Sequence, residues 1–177
     1  MAVAFTGHRP DQLFPPQQQA ATAMRELLLT VWKEIIQLAN EGHTDFYCGM
    51  MPGADMLCGL AVCIENSLQL PSQQLHLHCV APYQQGIAHW SSYWQSCHAE
   101  LHSKASSIHY ISEHYTPTCY LMCNRYLVDH ADVLLAVYDG RPKGSTAATI
   151  QYARRQGKKV IAIHPKKLKA TIIPAIP

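Results

Sequence analysis

The sequence predicts an α/β fold: a doubly wound, mainly parallel sheet with helices on both faces. Three observations predict it. Apolar, β-prone runs alternate with helix-spaced segments along the chain of 177 residues, which implies crossover connections between parallel strands. The two later strands are near-continuous apolar runs, as expected where helices cover both faces. Three strands end in glycine-bearing loops, at the edge where open α/β sheets take up ligands.

The elements follow in order. Residues 2–6 form a short β-prone run. Residues 18–40 place Leu27, Leu28, Val31, Trp32, Ile35, Ile36 and Leu38 near helical spacing, and Glu41-Gly42 stops them. Residues 46–48 form a second strand. Residues 54–67 form a helix with Met56, Leu57, Leu60, Ala61 and Ile64 on one side. Residues 75–80 form a third strand, closed by Pro82, and 85–104 a long polar-aromatic helix. A strand at 107–111, a helix at 117–130, a strand at 133–138, a helix at 146–156 and a strand at 159–163 complete the alternation. The last dozen residues read as a proline-bearing tail of no defined type. The first strand is the natural centre of the sheet.

Length fits one domain spanning 1–177, able to bury a core without staples. A net charge of +2 gives no argument for a nucleic-acid partner. Seven cysteines, odd in number and scattered, together with the lack of a signal-peptide pattern or a membrane-length apolar run, point to reduced thiols and a cytoplasmic protein.

The three loops carry the chemistry. Gly7 ends the first strand and lets a phosphate or ribose approach the backbone, with Arg9 beside it as a planar clamp. The plainer reading is a turn glycine and a surface arginine; the switch-point position favours binding. Gly53-Ala54-Asp55 opens the second long helix. Gly53 frees the helix N-terminus for an anion or packs closely on the first loop. Asp55 caps the helix or accepts ribose hydroxyls, and both readings stand. Gly144-Ser145-Thr146 follows a strand and opens a helix, with Ser145 as N-cap and the N–H groups facing a phosphate. Tyr138 and Asp139, at the strand end, are placed to meet a base or ribose. Asn124, Arg125 and Asp129 share one helix, where Arg125 and Asp129 read as an i,i+4 ion pair on a solvated face.

Metal is not expected. Cys119 and Cys123, and His98 and His102, lie one helical turn apart, and His76 and His78 share a strand face, but none has the paired short spacings of a zinc site. No serine elbow is present. Trp90, Tyr93 and Trp94 read as core or a dimer face rather than a base-stacking platform, since no basic residues interleave them.

Thr6-Gly7-His8-Arg9-Pro10, Gly53-Ala54-Asp55, Asn124-Arg125-Tyr126-Leu127-Val128-Asp129, Tyr138-Asp139-Gly140 and Gly144-Ser145-Thr146 occur in that order. Together they resemble the YpsA/YoqJ-like family of the SLOG superfamily, which includes the Lonely Guy phosphoribohydrolases and the DprA DNA-processing proteins. The resemblance spans Phe5 to Ile163. It implies a Rossmann-like fold and a pocket for a nucleotide or ADP-ribose-like ligand, with Asn124 or Arg125 reaching the pocket. It also implies an arginine where this chain has Cys123. The phosphoribohydrolase loop resembles Pro-Gly-Gly-X-Gly-Thr-X-X-Glu; here Thr149 stands where that glutamate falls, which counts against the same hydrolysis.

The expected function is therefore binding of a nucleotide-derived ligand for sensing or sequestration, in the manner of nucleotide-based antiviral signalling or its phage-borne inhibition. No further cofactor is required, and a homodimer is the default. Two alternatives stand: a nucleotide N-glycosidase, with Asp55, Asp139 and Glu65 as the carboxylates left open, and a DprA-like module for single-stranded DNA.

Overall fold

β1 (Ala2–Gly7) lies at the middle of the sheet because it can be buried on both faces: Val3, Ala4 and Phe5 are fully enclosed. The computed structural model describes residues 1–14, 20–84 and 86–176. After β1, Pro10 opens the single turn α1 (Pro10–Leu13), which is too short to show as a sequence pattern. There follow α2 (Ala20–Asn40), β2 (Asp45–Cys48), α3 (Ala54–Leu68), β3 (His76–Ala81), α4 (Ser92–Lys104), β4 (Ser107–Tyr110) and α5 (Cys119–Asp129). Then come β5 (Val133–Val137), α6 (Ser145–Arg155), β6 (Lys159–His164) and β7 (Lys169–Ile173).

The sheet order is β4-β3-β2-β1-β5-β6-β7. The first six strands pair in parallel and β7 pairs antiparallel to β6. Side chains alternate along each strand, so the sheet feeds two cores. Val3, Phe5, Phe46, Leu77 and Leu135 pack on one face under α2, α3 and α4. Ala4, Leu134, Ala136 and Val160 pack on the other under α5 and α6. This is the α/β, Rossmann-like, mainly parallel architecture expected.

Two elements differ from the sequence reading. The tail is a strand: after His164 the chain turns through residues 165–168, closed by the Leu168 N–H to His164 carbonyl bond of 2.8 Å, and β7 returns along β6 with His164 opposite Lys169. The third long helix, α4, begins at Ser92. Residues 86–91 are not helical, and Gln95 folds back to donate to the Trp90 carbonyl at 2.8 Å. Gln85, and Gln18 and Gln19 of the first predicted helix, lie outside the described residues. In α4, Trp94, Cys97 and Leu101 turn inward as core, while Tyr93 is exposed.

Candidate functional site

Strand order decides which loops meet. With β1 beside β5, Gly7 pairs with Val137 and the loops after both strands leave the sheet together at its switch point. His8 ties them: its N–H donates to the Val137 carbonyl at 3.3 Å, and its buried ring holds Asp139 through Nε2, 2.9 Å from Oδ1. Asp139 in turn accepts from the Arg141 guanidinium at 2.6 and 2.9 Å. Burial pushes the Asp139 carboxyl up, but the bonds from Arg141 and His8 outweigh it and bring it down to about 2. Tyr138 spends its hydroxyl on the Arg141 carbonyl. Tyr138 and Asp139 thus brace the loop, and neither lines the cavities described next.

The helix after the second glycine loop has a closed mouth. Gly53 is the N-cap of α3 at φ +107°, and a Cβ there would stand 2.5 Å from the His8 carbonyl oxygen and 3.0 Å from Arg9 Cα. A Cβ on Gly7 would collide with the Ala54 side chain. The Ala54 N–H donates to the His8 carbonyl at 3.1 Å and the Met56 N–H to the Met51 carbonyl at 3.3 Å. Of the two uses read for Gly53, the structure adopts close packing on the first loop. Asp55 is not the cap: Gly53 holds that position with no side-chain cap bond, and Asp55 is already inside the helix.

The mouth of α6 is open. Its first intrahelical bond runs from the Ala148 N–H to the Gly144 carbonyl at 3.1 Å. The N–H groups of Ser145, Thr146 and Ala147 therefore have no partner within the helix. Ser145 is not the N-cap the sequence implied. Gly144, at φ +111° and ψ 171°, takes that position because this backbone region suits glycine, and Ser145 becomes the first helical residue. A Cβ on Gly144 would meet nothing within 4 Å. Arg9, Arg141, Lys143 and Thr146 line a cavity of about 310 Å³ around this mouth.

Two more cavities continue from it through shared residues. Gly7, Arg9 and Ser145 also line a space of about 280 Å³ with Thr6, Asp55 and Asn124. Asn124, Tyr120 and Ser145 then lead to a third of about 210 Å³ bounded by Leu121, Arg125 and Tyr152. The three adjoin along one groove, with Arg9, Arg141 and Lys143 at the α6 mouth and Tyr120 and Tyr152 beside Arg125 and Arg155 at the α5–α6 end. In its middle stands Asp55, half-buried, its carboxylate seated over Gly49, where a Cβ would touch Oδ2 at 2.5 Å. Burial raises its carboxyl to about 7, only partly countered by Arg9. A carboxyl poised near neutrality in a cleft is a mark of functional sites.

Several sequence expectations shift here. Arg125 does not pair with Asp129; it lies over the Tyr152 ring, 5.5 Å from its centroid, and Asp129 accepts from the Tyr152 hydroxyl at 2.8 Å. Thr149 is buried and donates to the Ser145 carbonyl at 2.9 Å, a helix back-bond rather than chemistry. Glu65 is held by Trp32 and Gln69, far along α3 from its mouth. Cys123 packs in the core against the Val80 carbonyl, near enough to Asp55 for the carboxylate to act on its thiol. An arginine at 123 would have stood beside Asp55; with cysteine there, Arg9 is the cation acting on it. Sequence reasoning overlooked His8, Arg141, Lys143 and Tyr120. Three were legible: Arg141 and Lys143 are cations between two loop glycines, and Tyr120 lies four residues before Asn124, on the same helix face.

The groove residues placed so far come from segments spread over the whole chain, and so does its likeness to known proteins. No curated protein matches the sequence. Solved structures of DNA processing protein A share the fold. DNA processing protein A from Helicobacter pylori, described for its single-stranded DNA binding mode, aligns with a TM-score of 0.57 at 14% identity over 92% of this chain and 64% of its own. DNA processing protein A from Streptococcus pneumoniae aligns at 0.55 and 14% identity over 92% of this chain and 50% of its own. The chain thus spans roughly half to two thirds of those proteins' length, and identity this low speaks to fold alone. The YpsA family model, described as the YspA SLOG family, matches residues 3–168, and with the glycine loops and strand order in place the chain belongs to that family.

Proposed function

We propose that the groove binds a nucleotide-derived ligand, with phosphate at the α6 mouth and base at the aromatic end. The open mouth of α6, with three N–H groups free of helix partners and with Arg9 and Lys143 beside them, supports this most directly. Backbone N–H groups, a helix dipole and two cations border the same cavity. Asn124 and Asp55 line the adjoining space, where they could meet ribose hydroxyls, and Tyr120, Leu121 and Tyr152 border the space beyond. ADP-ribose or another nucleoside phosphate has the matching order of charge, hydroxyls and ring. Held without turnover, it would serve sensing or sequestration, including in nucleotide-based defence. The test is calorimetric titration with ADP-ribose and AMP, run beside native mass spectrometry of freshly purified protein. Binding that vanishes in Ser145→Glu supports the reading; equal affinity in that variant overturns it.

One observation favours a second reading. Asp55, held near pH 7 inside the groove, is suited to donate and accept a proton, as an N-glycosidase requires. Release of free base from a nucleoside monophosphate, lost in Asp55→Asn, would establish turnover. The likeness to DNA processing protein A makes single-stranded DNA the competing ligand. Affinity for it that falls steeply with salt, and survives Ser145→Glu, would replace the nucleotide reading.

A further inference from the structure

The opposite edge of the sheet carries a second cluster, unrelated to the groove. Asp45 and His76 are the first residues of β2 and β3 and stand opposite each other in the parallel register; His78 follows two residues on. Phe46, Cys48, Leu77 and Cys79 point into the core, so the alternation of side chains turns Asp45, His76 and His78 to the other face. His76 is 61% exposed there, and its partners are half-buried.

We infer that Asp45, His76 and His78 form a binding site for a divalent transition ion of the zinc class. The donor atoms already converge. Asp45 Oδ1 lies 3.0 Å from His78 Nε2 and 3.6 Å from His76 Nδ1, and all three donors fall within 4.8 Å of one another. Ligands about 2.0–2.1 Å from a tetrahedral zinc stand about 3.3 Å apart, so the ion would fit with little rearrangement.

Two of the three ligands are also held from behind. His78 Nδ1 meets Ser107 Oγ at 2.7 Å, which fixes the ring and leaves Nε2 aimed at the cluster. Tyr47 stacks on the same ring at 4.7 Å between centroids. The remaining carboxylate oxygen of Asp45 accepts from Thr44 Oγ1 at 2.8 Å. Such outer partners are what orient metal ligands elsewhere. Two imidazoles and one carboxylate suit zinc, copper or nickel and suit magnesium or calcium poorly. With three protein ligands, the fourth position is left to water.

The sequence view of His76 and His78 stopped at two ligands. The third comes from a residue 31 positions earlier, brought alongside only by strand register.

The test is titration of metal-free protein with Zn²⁺, and separately with Mg²⁺, followed by calorimetry and thermal unfolding. One equivalent of Zn²⁺ should bind and raise the unfolding temperature, with no response to Mg²⁺. His76→Gln and Asp45→Asn should each weaken binding at least about ten-fold, and Ser107→Ala by a smaller factor. His76 is largely exposed, so His76→Gln keeps the fold, and its unfolding without metal verifies this. Cys63→Ser, which alters the one cysteine that is not fully buried, should leave Zn²⁺ affinity unchanged. Absence of Zn²⁺ binding, or equal affinity in His76→Gln and Asp45→Asn, overturns the site.

Discussion

The mouths of α3 and α6 look alike in sequence and differ in use. Each helix follows a strand through a loop ending in glycine, and each glycine is an N-cap at φ above +100°. At α3 the glycine is pressed against the first loop and carbonyls of His8 and Met51 take up helix N–H groups. At α6 the glycine faces open space and the first N–H groups face a cationic cavity. One mouth is therefore a structural joint, and the other is left open. A glycine-led helix start does not by itself say which; the neighbouring chain does.

The largest effect should come from breaking the joint. Gly53→Ala adds backbone strain and a clash with the His8 carbonyl, and should cost roughly 2–4 kcal/mol in urea unfolding. Near-wild-type stability would mean that α3 is not closed by this contact. Gly144→Ala has the strain without the clash and should cost less, about 1–2 kcal/mol by the same measurement. If the two variants lose equal stability, the distinction between the mouths fails.

Ligand binding should respond in the opposite sense. Arg9→Ala removes a charge-assisted contact and should weaken ADP-ribose or AMP binding by about 1.5–3 kcal/mol, with stability nearly unchanged because the side chain is exposed. Calorimetry on the folded variant checks this; unaltered affinity would place the phosphate elsewhere.

The smallest effect separates the two aspartates. Asp55 has its carboxyl raised to about 7, so the folded protein holds the extra proton between the ordinary carboxylate range and that value. Its effect on stability is a loss as pH rises through that window, and an anionic ligand should bind a few-fold more weakly above it. Asp55→Asn should flatten that dependence. Asp139, brought down to about 2, behaves inversely: its bonds to Arg141 and His8 stabilise the loop above the ordinary carboxylate range and are lost as pH falls toward 2. Affinity measured across neutral pH, and unfolding measured in acid, read the two carboxyls independently.

Much of the fold was legible because it depends on local pattern. The strand and helix runs carry periods of two and 3.6 that survive without knowledge of the rest of the chain. β7 escaped because Lys169-Ala-Thr-Ile-Ile is short and borders a proline turn, and only pairing with β6 makes it a strand. The start of α4 was placed early because Ile87, Trp90 and Trp94 keep the three- and four-residue spacing of a helix although the chain is not helical before Ser92. Within the site, Gly7, Arg9 and Gly144 were found because glycine loops after strands are recognisable. The closure of α3, the bracing role of Asp139 and the stacking of Arg125 on Tyr152 were not, since each depends on residues far apart in sequence.

By itself, the sequence determined the alternation of strand and helix, the three glycine loops and the membership that their order signals. Those are properties of short segments, set by side-chain period and by the backbone freedom of glycine. Only the tertiary structure decided which helix mouth stays open, which carboxyl is held near neutrality and which residues meet at either edge of the sheet. Strand order and register bring distant residues within hydrogen-bond range, and burial then sets their charge.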